Sequence, residues 1–378
     1  MKWPNGFTSA GTPCGIKAGG ESDLGVLLAD EPVAWSGVFT ANAAAAVPVR
    51  WSRSLRRNKV RCLVVNSGNA NACTGAEGER AVEMTSVAAG EVLGCEASEI
   101  LLASTGPIGQ QLPVERIVRA IPRLFAKTGD DVYTFAESIM TTDTKIKTAH
   151  ATAGDASMVG VAKGAAMLAP NMATMLAFVA TDASVDDVVR DQALATAVDR
   201  SFNRLSIDAC ESTNDSVFLL ASGKEAVDPE VFSKALQSVC GDLAEQIARD
   251  AEGGTKLVRV FVHGGIDEAA CVGLGKAVAA SDLWRAAVNG EDPNWGRVVS
   301  ALGAFDRGLD LDELEVSIGS EKLFSRGQPV GSLASAAAEM KADEFTVSCR
   351  VGDGDASAEV LTADLSKDYV ALNSEGTS

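Results

Sequence analysis

Short apolar runs alternate with longer, half-polar stretches along the whole chain. Residues 24–28, 62–65, 100–103, 158–162, 175–180 and 217–221 are compact apolar runs and predict buried strands. Between them the period lengthens. Residues 77–93 are rich in Ala and Val and predict a helix, and residues 113–127 predict an amphipathic one with Pro113 near its first turn. Ser184 precedes another helix, on which Val189, Ala193 and Ala197 share one face at i, i+4 spacing. A further helix runs to about residue 250. The run LVRVFVH (257–263) alternates as a strand does, and helices follow from about residues 268 and 295. The last part, 314–365, is strand-rich in LEVSIG, FTVSCRVG and ASAEVL. No repeat period, heptad or low-complexity linker interrupts this alternation. It predicts a layered α/β body and leaves the topology open.

A chain of 378 residues, 46% of them hydrophobic but only 5% aromatic, has the composition of a small-residue-rich globular protein with room for one large or two ordinary domains. The formal charge of −18 repels phosphate backbones and anionic lipid, so nucleic acid and membrane are not expected partners. No apolar run approaches a membrane span, and the opening MKWPNGFTSAGTPCGIKAGG has no apolar segment of the signal-peptide kind. The eight cysteines are scattered, form no CxxC pair, and read as reduced core residues of a cytoplasmic protein. With two histidines only, a His-based zinc site is not expected, and a Ser-His-Asp triad would need one of them. His263 ends a strand; His150 lies in a polar, loop-like stretch.

The segment KGAAMLAPNMATML (163–176) sets a hydroxyl, Thr174, between a turn and an apolar run, after the small Ala173. A cut there would give Thr174 a free α-amine, which titrates near pKa 8 and is its own general base. The plainer alternative is an ordinary packed strand threonine. STGPIG (104–109) ends a short strand. Pro107 has no N–H, so Thr105 and Gly106 would have to supply the donors of an oxyanion hole, unless the segment is simply a turn. NSGNANACTG (66–75) either lines a polar pocket or forms a tight Asx-rich loop. SIDACESTNDS, NGEDPNWGR, TTDTK and DAEGGTK are further polar segments near element ends. GLGKAV (273–278) lacks the marks of a phosphate cradle, and GDGDAS reads as a hairpin turn between two strands.

Taken in order, these segments resemble the glutamate N-acetyltransferase family, also called ornithine acetyltransferase, of arginine biosynthesis. The resemblance extends from GFTSAGTPCGIK near the N-terminus to DYVALN near the C-terminus, through NSGNANACTG, STGPIG, IMTTDT, KGAAMLAPNMATML, STNDS, DAEGGTK and EDPNWGR. It implies an α/β/β/α layered fold resembling N-terminal-nucleophile hydrolases with different connectivity. It implies self-cleavage between Ala173 and Thr174 into an α chain (1–173) and a β chain (174–378) that stay associated, as a dimer of αβ units. Thr174 would carry the acetyl group of N-acetylornithine to glutamate, with no cofactor or metal. Thr105 and Gly106 match the family's oxyanion hole. Thr141, Lys163, Thr174, Glu252, Asn373 and Ser378 match its substrate contacts, with Thr142 as the alternative to Thr141. Acetyl-CoA as a second donor is left open.

The chain departs from the family in two places. Its tail, NSEGTS, lacks the aromatic that usually precedes the last hydroxyl, which leaves Thr377 as an alternative to Ser378. The usual Pro after TTDT is replaced within Lys145-Ile146-Lys147. Two other readings stand beside the family one: a self-processing aminopeptidase or amidase that uses water as acceptor, and a non-enzymatic acidic binding protein.

Overall fold

The computed structural model describes residues 1–56, 58–167 and 175–375, the last without its side chain. Ala173, Thr174, Thr377 and Ser378 lie outside the described residues. The strands are β1 (Phe7–Thr12), β2 (Leu24–Phe39), β3 (Val60–Ser67), β4 (Ile100–Thr105), β5 (Lys147–Ala153), β6 (Ala156–Lys163), β7 (Leu176–Ser184), β8 (Ser216–Ala226), β9 (Leu257–Gly265), β10 (Glu315–Ile318), β11 (Glu321–Ser325), β12 (Gln328–Pro329), β13 (Glu344–Arg350) and β14 (Ala356–Ala363). The helices are α1 (Val47–Ser54), α2 (Gly75–Leu93), α3 (Val114–Phe125), α4 (Tyr133–Ile139), α5 (Asp187–Asp199), α6 (Pro229–Arg249), α7 (Glu268–Ala279), α8 (Asp282–Asn289), α9 (Trp295–Phe305), α10 (Leu333–Glu339) and α11 (Lys367–Glu375).

The first eight strands form one sheet in the order β4-β3-β2-β8-β7-β6-β5, with β1 on β2. Strand β2 is long enough to serve two halves. Leu24–Leu28 pair with β3, and Ala34–Phe39 pair with β8. Side-chain alternation then sorts the core into layers. On β3, Leu63 and Val65 face inward with Leu101 and Ala103 of β4, against Phe178 and Ala180 of β7 and Phe218 and Leu220 of β8. The alternate residues, Cys62, Val64, Ile100 and Leu102, pack outward under α2 and α3. On the other half, Met158, Val179, Val217 and Leu219 pack outward under α5 and α6. Two helix layers thus enclose two sheet layers: the α/β/β/α body. Gly160 marks how tightly α6 lies on β6, since a Cβ there would come within 2.6 Å of Val239 and 2.8 Å of Leu243.

Helix α6 begins where Asp228 accepts the N–H groups of Glu230 and Val231 and Pro229 occupies the first turn. Beyond it, β12-β11-β10-β13-β9-β14 form a second sheet, covered by α7 to α10 around Trp284, Val298 and Val347. GDGDAS is not a hairpin turn: it joins β13 to β14 across β9, which pairs with both. His150 also departs from expectation, since it lies in β5 rather than a loop. Ala and Thr dominate that strand, and their weak apolar signal hid it. Of the cysteines, Cys62, Cys240, Cys271 and Cys349 are buried, but Cys73 and Cys210 are exposed on polar loops.

Residues on both sides of the expected cut build the same sheet. β6 and β7 are antiparallel neighbours whose ladder ends at the Lys163–Leu176 pair, and β2 pairs with β8. Described residues on both sides of that position thus contribute to the same two cores.

Candidate active site

The two parallel strand pairs of the folded sheet aim their loops at one place. β3 and β4 end together at Ser67 and Thr105, while β7 and β8 begin together at Leu176 and Ser216. β6 delivers Lys163 to the same edge. There a cavity of about 310 Å³ opens, lined among the described residues by Thr105, Gly106, Thr141, Thr142, Lys163, Asn214, Tyr369 and Asn373, with others. Five of the six expected positions that fall on described residues line it, together with Thr142; the sixth, Glu252, is joined to it through Asn373, whose Nδ2 donates to Glu252 Oε2 at 2.9 Å. Neither histidine lines this cavity.

The STGPIG turn is held by the NSGNANACTG loop. Asn69 N–H donates to the Thr105 carbonyl at 3.0 Å, and Ala70 N–H to the Pro107 carbonyl at 3.1 Å. Gly106 has φ +138°, and a Cβ there would overlap Asn69 N and the Gly68 carbonyl carbon, so the position admits only glycine. The amides of that loop are spent on structure. Asn66 Nδ2 donates to Asn69 O, Asn71 Nδ2 to Gly78 O, and Ser104 Oγ to Asn66 Oδ1. Asn214 bridges the two halves of the first sheet by donating to Ala70 O at 2.7 Å and Ser104 O at 2.8 Å.

Lys163 is 4% exposed, and its Nζ donates to Thr105 Oγ1 at 3.2 Å. Burial lowers its pKa, and Asp143 works in the opposite direction. Asp143 is itself the centre of a network. Its Oδ1 accepts from Gly164 N–H and from Lys147 Nζ, each at 2.6 Å, and its Oδ2 accepts from Thr141 N–H at 3.0 Å. Burial alone would raise the pKa of this carboxyl, but the Lys163 and Lys147 ammonium groups and these donors outweigh it and hold it down at about 2. Lys147 also donates to Asp250 Oδ2 at 2.6 Å, and Asp250 accepts Thr144 N–H at 3.0 Å. The buried Asp143–Lys147–Asp250 triad thus fastens the TTDT loop to the end of α6 and to the start of the 164–167 segment. Two residues after Asp250, Glu252 N–H donates to Ala165 O at 2.8 Å.

Sequence reading missed Asp143, Lys147, Asp250, Asp208 and Tyr369 as parts of this region. One signal was available. An aspartate at a helix C-terminus opposes the helix dipole, so Asp250 required a cation from elsewhere. The C-terminal helix closes the far side: Ser366 Oγ donates to Gly253 O at 2.5 Å, and Tyr369 Oη to Asp208 Oδ2 at 3.4 Å. Other motifs are structural. GLGKAV is the body of α7, where Gly275 lies against Val360, and NGEDPNWGR joins α8 to α9. Among the described residues no group of His, Cys, Asp or Glu could hold a metal ion, and no helix is long and apolar enough to cross a membrane.

Fold and cavity together define a four-layer α/β/β/α protein whose site is built from hydroxyl, amide and ammonium groups. Its sequence model places it more narrowly: the chain belongs to the ArgJ family, which matches residues 8–378. It is 40% identical over 389 residues to the arginine biosynthesis bifunctional protein ArgJ of Chlorobaculum tepidum, covering 98% of this chain and 95% of that protein. It is likewise 40% identical over 376 residues to the protein of the same name from Streptomyces coelicolor, covering 98% and 97%. The crystal structure of arginine biosynthesis bifunctional protein ArgJ from Bacillus halodurans is 36% identical, with a TM-score of 0.49, over 52% of this chain and 96% of that one.

Proposed function

We propose that this protein is a self-processing acetyltransferase of arginine biosynthesis. It moves the acetyl group of N2-acetyl-L-ornithine to L-glutamate through an ester on Thr174. Membership of the ArgJ family supports the pathway. The observation that carries the chemistry is the pairing of Lys163 Nζ with Thr105 Oγ1 beside Gly106 in the cavity wall. A hydroxyl that accepts from an ammonium keeps its own hydrogen for another acceptor. In this reading Thr105 and Gly106 offer that hydrogen and backbone N–H groups to the oxyanion of a tetrahedral intermediate.

The reaction begins within the chain. Thr174 Oγ1 attacks the Ala173 carbonyl and the C–N bond breaks, which frees the α-amine; water then hydrolyses the resulting ester, releasing the Ala173 carboxylate and restoring the Thr174 hydroxyl. That amine then accepts the Oγ1 proton as Thr174 attacks the acetyl amide of the donor. Ornithine leaves, and the glutamate amine attacks the acetyl ester. Thr141 or Thr142, Lys163, Glu252, Asn373 and Ser378 or Thr377 hold the substrates. Neutral Lys or His bases are not needed, which suits a cavity without histidine. The shared sheet keeps the α and β chains together after the cut, and a dimer of αβ units in the cytoplasm is the proposed assembly. The word bifunctional in the relatives' name favours a second donor, and we propose acetyl-CoA for it.

Initial rates test the reading. With acetylornithine varied at several fixed glutamate levels, parallel lines are expected, because one hydroxyl serves donor and acceptor in turn. Intersecting lines would mean a ternary complex. Acetate release at the same rate with or without glutamate would make the protein a hydrolase.

A further inference from the structure

Asp215 lies next to this site and has no part in the steps above. It precedes β8 and is 1% exposed. Its Oδ1 accepts the Met175 N–H at 2.9 Å, while Oδ2 has no partner among the described residues. The carbonyl of Met175 is held as well, by Ser216 N–H at 3.2 Å. Both polar groups of the Met175 backbone are thus fastened to the start of β8, and the parallel β7–β8 ladder continues from there. A buried carboxyl with one oxygen unused is costly and calls for a reason.

We propose that Asp215 is the positioning residue of the nucleophile: by anchoring the Met175 N–H it fixes the peptide bond by which Met175 is joined to Thr174, and so constrains the attachment of the nucleophile. The inference rests on the functional reading, which assigns the nucleophile to Thr174. Met175 N is three covalent bonds from the Thr174 α-nitrogen, so a shift of that N–H displaces both the general base and the hydroxyl. Burial raises the pKa of the Asp215 carboxyl well above the ordinary range, and the Met175 N–H, the Lys163 ammonium and the Ser212 hydroxyl and N–H work against that rise.

The test compares Asp215→Asn, Asp215→Ala and Asp215→Leu as full-length chains, following cleavage by intact mass and then kcat and KM for acetylornithine. Asn keeps the acceptor, so it is expected to cleave and to stay within roughly fivefold of wild-type kcat, whereas Ala and Leu lose about a hundredfold, the usual result of a misplaced reacting group. Their KM should move by less than about threefold, because the substrate contacts stay in place. Leu keeps the branched shape without an acceptor, so it reports on the missing acceptor even where Ala leaves a cavity that prevents folding. Wild-type kcat in the folded Ala or Leu variant, or an Asn variant as slow as Leu, overturns the inference alone. A wild-type chain that stays whole and transfers no acetyl group overturns the functional reading and the inference with it.

Discussion

Lys147→Met isolates the charge that holds the TTDT loop in place. The variant keeps an unbranched stem but removes the ammonium between Asp143 and Asp250, each 2.6 Å from Nζ, with all three side chains buried. Breaking such a pair leaves uncompensated buried charge and costs about 3–5 kcal/mol. The lower end is expected, since Asp143 keeps the N–H groups of Thr141 and Gly164 and the nearby Lys163. Denaturant unfolding followed by far-UV circular dichroism measures the loss. The pH dependence separates charge from packing. In the wild type Asp143 is depressed from 3.8 to about 2, so its contribution is present above the unfolded value and is lost as pH falls through 4 toward 2. In the variant Asp143 has lost one of its ammonium neighbours and takes up its proton at higher pH than in the wild type, which relieves the penalty. The gap between the two proteins should therefore be widest at neutral pH and narrow towards about pH 4. A loss below about 1 kcal/mol, or a gap that does not change with pH, would refute the claim that the triad is held by charge.

Three other outcomes follow from the site. Thr105→Ala should leave folding intact and lower kcat by roughly a hundredfold, the loss typical of one oxyanion donor; wild-type turnover would make STGPIG a plain turn. Gly106→Ala forces a Cβ onto Gly68 and Asn69 at φ +138°, so both melting temperature and turnover should fall, and a crystal structure with an unmoved 66–69 loop would contradict this. Asn373→Ala removes the donor to Glu252 Oε2 and should raise KM for acetylornithine more than it lowers kcat; an unchanged KM would place α11 outside the substrate site.

The strands of the folded sheet were legible wherever both faces are buried, because β3, β4 and β7 then read as unbroken apolar runs. Polar or short elements were not. β1 reads FTSAGT, β5 reads KTAHATA, and α4 has only seven residues, so each draws its order from packing against neighbours rather than from its own pattern. The site was legible as a set of motifs but not as a shape. Asp143 and Asp250 are over a hundred residues apart, and nothing in either segment says that Lys147 joins them. The fold of β2 from one sheet half to the other, which brings Thr105 to Lys163, follows from a register that composition does not encode.

The acetyl ester on Thr174 is the centre of this account, and mass spectrometry of quenched enzyme tests it most directly. Purified protein incubated with acetylornithine and no glutamate should separate into two fragments. The one beginning Thr-Met-Leu-Ala-Phe should carry one added acetyl group on its first residue, and glutamate should discharge it. A single uncut chain that transfers acetyl groups at full rate, or two fragments that turn over with no acetyl ever found on Thr174, would contradict it.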